Sequence, residues 1–248
     1  MKLDYFELLS PDPVQLQGVG SIVSPRLRDI SAIGIHTYHS YLSYLLMEPK
    51  TYFSMTEQTE LYEQLTEEEN CRLTMFDLLP LNGQLAAALE QAFNFFIQEN
   101  VSYSPEHQCF LIRKDAVNIG SITAENHSLI CDIICQQNSI NYHPAADPSK
   151  AKGKKTLEIM QKLQQGREQK SHASKADQNM ELGNIISAVA GRSQSLNILN
   201  IWDLTVFQLW DCFSRLTSNS IYDIQSMSVA AWGDKDHHFD ATAWFKKN

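Results

Sequence analysis

NILNIWDLTVFQLWDCFSRL, Asn197 to Leu216, is the stretch on which the fold turns. Asn200 stands where an N-cap is needed, and Asp203 falls in the first turn, where a carboxylate complements the positive end of a helix. Trp202, Val206, Leu209, Phe213 and Leu216 then recur at alternating spacings of four and three, the seam of a packed helix pair. Ile201, Leu204, Phe207 and Trp210 cover a second face. A helix that is apolar on two faces needs two sets of neighbours. The first face is expected to meet Leu182, Ile185, Ile186 and Val189, and the second Ile221, Tyr222, Ile224, Met227 and Val229, in a small bundle closed by short loops. Part of the surface is left for a partner protein whose apolar helix it grips, with Trp210, Phe207, Trp202 and Phe213 as candidate partner-binding residues, because Trp and Phe suit such anchors. Trp202 lies in the seam and is expected in the core. Trp210 lies ~80° round the helix from it and is the expected partner anchor.

Composition bounds the rest. The 248 residues allow one large domain or two small ones, and a hydrophobic share of 43% supports a true core. With 20 Lys plus Arg against 29 Asp plus Glu, the formal charge is −9, which repels nucleic acid unless the positive residues gather in one place. Between Pro144 and Met180 eight basic residues meet four acids, a local +4 that leaves −13 on the remainder. That stretch carries no interleaved aromatic residues on which bases could stack, so a solvated tether is expected and a nucleic-acid partner is not. Five cysteines, an odd number, point to a reducing compartment. MKLDYFELLS has acids where a secretory leader needs basic and then apolar residues, and no apolar run reaches the ~20 residues of a membrane span. The cytosol is the expected location.

Along the chain, Ser24 and Pro25 read as a helix start, and the apolar stripe from Leu27 to Leu46 is divided at Gly34. Thr56 to Glu69 reads as a short amphipathic helix and Asn82 to Glu99 as a more apolar one. Cys109 to Arg113 and Val117 to Ile122 form the expected β-hairpin, and Thr123 caps a helix running to Ser139. The expected architecture is mainly α: an N-terminal helical domain with a small hairpin over residues 1–143, a basic semi-helical linker over 144–179, in which Leu157, Met160 and Leu163 have helical spacing, and a small helical bundle over 180–248.

Three constellations bear on chemistry. His127, Cys131 and Cys135 share one helical face, and thiolate with imidazole is a zinc donor set, but three such residues span ~12 Å along a helix axis and cannot converge on one ion. A pair of them with His143 or Cys109 could; the alternative is that the cysteines are small core residues. GDKDHHFD, Gly233 to Asp240, gathers His237, His238 and Asp240, a rival metal or acid–base site that lacks a nucleophile or phosphate loop beside it. GVGSIVSP, Gly18 to Pro25, has neither the spacing nor the context of a dinucleotide loop and reads as a loop leading to a helix. No catalytic residue, cofactor or metal site is assigned on these grounds.

The segments LNIWDLTVFQLWDCFSRL and IYDIQSMSVAAWGDKDHHFDATAWFKKN, with GVGSIVSPRLRDISAIG and VNIGSITAENHSLICDIICQQNSI, resemble proteins encoded in the tail and baseplate gene clusters of large tailed bacteriophages and prophages. The resemblance implies a non-enzymatic role in virion morphogenesis through contacts with tail or baseplate proteins, as an assembly chaperone or as a structural subunit of the virion. It carries no catalytic residues.

Overall fold

A computed structural model describes residues 1–140, 180–234 and 238–246. The protein is mainly helical, as its periodicity predicts. The basic stretch 144–179, with Leu157, Met160 and Leu163, lies outside the described residues, as do His143 and His237.

The chain opens with a short helix α1 (Tyr5–Leu9), closed by a reciprocal capping box between Asp4 and Glu7. Strands β1 (Val14–Leu16) and β2 (Gly20–Ile22) follow as an antiparallel pair. This pair corrects the expectation of a simple loop around GVGSIVSP. Gly18 and Gly20 take φ of 75° and 100°, angles that let two three-residue strands turn tightly. β2 is then held by Ile22 bridging Ile97 and by the Gln98 N–H donating to the Ser21 carbonyl (2.9 Å), pairings that no local pattern announces.

Helices α2 (Leu27–Ile33) and α3 (Ile35–Leu45) are parted at Gly34, whose φ of 85° breaks the stripe where the sequence predicts. The start of α2 differs from expectation. Arg26, not Ser24, takes the capping position, because the Asp29 carboxylate accepts from the Arg26 N–H (3.0 Å) and the Leu27 N–H reaches across to the Leu204 carbonyl (2.9 Å). The Glu/Gln-rich stretch after it is not one amphipathic helix but a run of short ones, α4 (Pro49–Met55), α5 (Thr59–Glu63) and α6 (Glu67–Arg72), since the Thr66–Glu69 capping box restarts the backbone. Helix α7 (Met75–Leu78) leads to α8 (Gly83–Phe96), capped by Asn82 and buried along Leu85, Leu89, Phe93 and Phe96.

The expected hairpin forms, with a third strand added. β3 (Asn100–Ser104), β4 (Cys109–Lys114) and β5 (Val117–Ile122) make an antiparallel meander, in which Lys114 pairs with Val117 across a two-residue turn. Asp115 and Ala116 both have positive φ there, the geometry that matches the twist of the flanking strands. Helix α9 (Ala124–Gln137) starts at Thr123 as predicted. Beyond residue 180 come α10 (Leu182–Arg192), a 3-10 turn at Ile201–Asp203, and the long helix α11 (Val206–Trp232).

Ile201, Val206 and Leu209 belong to the same buried cluster as Leu27, Ile30, Phe93 and Ile130. Contacts between the two described stretches are therefore core contacts. Gly120 shows how close the packing is: a Cβ there would run into the Gly18 carbonyl.

Candidate functional site

Helix α11 is where sequence and structure differ most. Its start is Thr205, not Asn200. The Thr205 hydroxyl accepts from the Gln208 N–H (3.2 Å), the Gln208 side chain accepts from the Thr205 N–H (2.9 Å), and Thr205 also bridges Arg26. Asn200 instead closes the preceding turn, accepting from the Asn197 N–H (2.7 Å), and Asp203 pairs with Arg26 and Arg28. The end of α11 is Gly233 and not Leu216. The helix runs on through Thr217 and Ser220, whose hydroxyls donate to the Phe213 (2.9 Å) and Leu216 (2.7 Å) carbonyls four residues back and so do not compete for the chain elsewhere. Gly233, with φ 79°, is the first residue after the start of the helix that stops it.

At 1.5 Å per residue the 27-residue helix is ~40 Å long. Its first half is built into the body. Val206 and Leu209 are buried, Tyr5 donates to Asp211 (2.7 Å), Arg215 donates to the Tyr5 hydroxyl (3.0 Å), and Gln208 donates to the Leu9 carbonyl (2.8 Å). Helix α10 packs along it, and Arg192, in the last turn of α10, donates to the Ser220 hydroxyl (2.7 Å).

The four residues singled out from sequence all lie at this rooted end, and all are half-buried. Trp202 is not in a helical seam; it sits on the 3-10 turn before α11 with its indole N–H donating to the Ile198 carbonyl (2.8 Å). This corrects its assignment to the core, and the reason is the later start of the helix. Trp210 stands edge-on to Phe213 (6.0 Å), and Phe207 edge-on to Tyr5 (6.3 Å).

Past Ser220 the same helix is bare. Ile221 is 51% exposed, Ile224 65%, Met227 64% and Trp232 79%. Ile221, Tyr222, Ile224, Met227 and Val229 were expected as neighbours packed against the second face of the helix; being one continuous helix with it, they cannot fold back. Trp210, Phe213, Ile224 and Met227 share one side of the helix, with the polar Thr217 and Ser220 between them, so that side has a half-buried root and an exposed tip. The lack of any Gly or Pro between Thr205 and Gly233 was the signal in the sequence that the helix runs on.

The C-terminal residues lie against another side of the tip. Asp234 accepts from the N–H groups of His238 (3.0 Å) and Phe239 (3.1 Å), the Phe239 ring packs on Tyr222 (5.5 Å), and Arg215 donates to the Lys246 carbonyl (2.8 Å). Asp240 is engaged by Lys246 and Thr242, which hold its carboxyl down at about 2. Asp234 and Asp240 thus close turns. Beside them an open hollow of about 350 Å³ is lined by Asn219, Tyr222, Asp223 and Trp244.

His127 and Cys131 do come together, with Nε2 to Sγ 3.4 Å, but as packing groups. The His127 ring stands edge-on to Phe76 (5.4 Å) and Phe93 (6.0 Å), and withdrawal from water lowers its pKa to about 4. The Cys131 thiol donates to the Leu45 carbonyl (3.2 Å), burial pushes that thiol well up, and burial with Asp132 pushes Cys135 up to about 12. Neither is a nucleophile at neutral pH. Among the described residues no three His, Cys, Asp or Glu side chains stand close enough to hold a metal ion, and no helix is long and apolar enough to cross a membrane.

Residues 170–248 resemble the YomV second domain. YomV is a prophage-encoded protein, so the YomV-like stretch, which contains all of α10 and α11 and the hollow, is phage-related. No curated protein and no solved structure matches the chain.

Proposed function

We propose that this chain is a non-enzymatic bacteriophage morphogenesis protein that works through protein–protein contacts in tail or baseplate assembly, in the manner of an assembly chaperone in the host cytoplasm. The observation that carries this reading is the uncovered tip of α11 within the YomV-like stretch. A helix whose first half is locked into a core and whose second half presents three large aliphatic side chains and a Trp is built to be gripped. Contiguous exposed apolar surface of this kind marks interaction sites. The half-buried Trp210 and Phe213 form the root of that surface, and its contact residues are Ile221, Ile224, Met227 and Trp232.

Deleting the gene from the phage or prophage is expected to leave DNA replication intact and to yield particles with missing or incomplete tails, seen by electron microscopy. Complete, infectious particles from the deletion would overturn the proposal. Mass spectrometry of purified virions separates a chaperone, absent from the particle, from a structural subunit, present in stoichiometric amount.

A further inference from the structure

Residues 1–10 reach from α9 to α11, yet among the described residues no backbone–backbone hydrogen bond ties them to the rest of the chain. Their backbone bonds close within the segment: the Leu8 and Ser10 N–H groups donate to the Asp4 and Phe6 carbonyls (both 3.1 Å), and Asp4 and Glu7 cap each other. α1 buries no side chain completely, and Phe6 is 82% exposed. What holds the segment is a small set of side chains. Gln136 of α9 brackets its start, accepting from the Leu3 N–H and donating to the Met1 carbonyl (both 2.8 Å). Gln208 of α11 donates to the Leu9 carbonyl, and the Tyr5 hydroxyl lies between Asp211 and Arg215. Leu3 is buried in the core, and Leu8 packs partly against it.

Each polar group that grips the segment keeps a second partner in the body of the protein. Gln136 also donates to Asp132 (3.0 Å), Gln208 also accepts from the Thr205 N–H (2.9 Å), and Asp211 and Arg215 pair with each other one helical turn apart (3.9 Å). Lifting the segment away therefore strands no charge and leaves each of these side chains bonded. The penalty that an unsatisfied buried polar group would add to opening is absent, and the segment is retained by Leu3, Leu8 and the few bonds it makes. Ser10–Pro13 supplies a hinge: Pro11 and Pro13 have no N–H to donate, Pro11 and Asp12 are exposed, and Ser10 and Asp12 bond each other.

We propose that residues 1–10 are a clasp that opens as one unit about Ser10–Pro13 while the rest of the protein stays folded. Closed, the clasp covers Phe207, whose ring stands edge-on to Tyr5 (6.3 Å); open, it bares that ring and the apolar seat of Leu3. The root of α11 thus has two surfaces, and the clasp selects between them. Opening is a property of the fold and holds whichever partner α11 takes.

The test is native-state hydrogen exchange on the full-length chain at rising urea, read by mass spectrometry over residues 3–10 and over α8. The clasp amides are expected to exchange roughly a hundredfold faster than those of α8, at a rate that urea hardly changes below the unfolding transition, because opening exposes little surface. Leu89→Ala, in the buried face of α8, weakens the body whether the clasp is open or closed, so it is expected to speed exchange in α8 and leave that of residues 3–10 unchanged. Leu3→Ala weakens the closed state alone and is expected to speed clasp exchange by roughly tenfold or more. In the same variant, oxidation of Phe207 by hydroxyl radicals is expected to rise about twofold, while that of the buried Phe93 and Phe110 stays constant. Exchange of residues 3–10 that climbs with urea in step with α8, or that Leu89→Ala speeds as much as α8, would overturn the proposal, since the segment would then be released only by global unfolding. So would clasp exchange indifferent to Leu3→Ala, or clasp exchange that rises in Leu3→Ala with Phe207 oxidation unchanged. The urea series on the wild type decides the first point whether or not a variant folds.

Discussion

Replacing Leu209 by Ala tests whether α11 is part of the same folding unit as the N-terminal helices. Leu209 is 0% exposed and shares its cluster with Ile130 and with Leu27, Ile30 and Phe93, the last three more than a hundred positions away. Removing three carbons from such a site costs the lost transfer energy and the cavity left behind, ~3–4 kcal/mol where the surroundings are held and cannot collapse. They are held here: Thr205 bridges Arg26, the Leu27 N–H is bonded to the Leu204 carbonyl, and α1 clasps Asp211 and Arg215. For a protein of this size each kcal/mol shifts the melting temperature by ~2–4 °C, so a fall of roughly 6–16 °C is expected. The assay is calorimetry combined with hydrogen exchange. If one core joins both stretches, the transition stays single, and protection falls together in α8, in α9 and in the first half of α11. The reasoning is refuted if two transitions appear and only the one containing α10 and α11 moves, with the amides of α8 and the β3–β5 meander keeping wild-type protection.

Two other outcomes follow from the packing and the titration of single groups. Gly120→Ala places a methyl group against the Gly18 backbone and is expected to cost ~1–3 kcal/mol, whereas Gly183→Ala, in open space on α10, is expected to raise the melting temperature; parallel thermal melts give the two signs. His127, lowered to about 4 in the folded chain from 6.5, takes up a proton more readily when unfolded, so its contribution to stability is complete above 6.5 and is lost as pH falls toward 4, at up to ~1.4 kcal/mol per pH unit. Urea midpoints over that range are expected to fall less steeply in His127→Gln; an identical slope would show that the ring is not withdrawn from water. Glu99 and Asp240 act in the same direction at lower pH. Burial alone would raise the Glu99 carboxyl, but donation from the Ser21 N–H and hydroxyl outweighs it, with Lys114 adding to the lowering.

Much of the fold was legible because its signals are local. Gly34 parts two helices, Thr123 and Asn82 cap two more, and alternation marks β4 and β5, each within a window of a few residues whose backbone choices depend on their own side chains. The mainly helical class followed from the same periodicities. Tertiary structure decided three other things. β1 and β3 pair with near neighbours in sequence, but β2 and the residue after it are also held by Phe96, Ile97 and Gln98, partners that no short window of sequence contains. Helix α11 begins at Thr205, since Asn200 and Asp203 find competing partners in Asn197, Arg26 and Arg28. It also runs on past Leu216 to Trp232, so that Ile221, Ile224 and Met227, expected as separate neighbours, belong to the helix itself. The last of these determines the candidate site. Sequence marks the large apolar residues from Trp202 to Trp232 alike; only the assembled molecule, in which α10 ends at Arg192, bonded to Ser220, and the C-terminal residues lie against Tyr222, leaves Ile224 and Met227 in water while Val206 and Leu209 are buried.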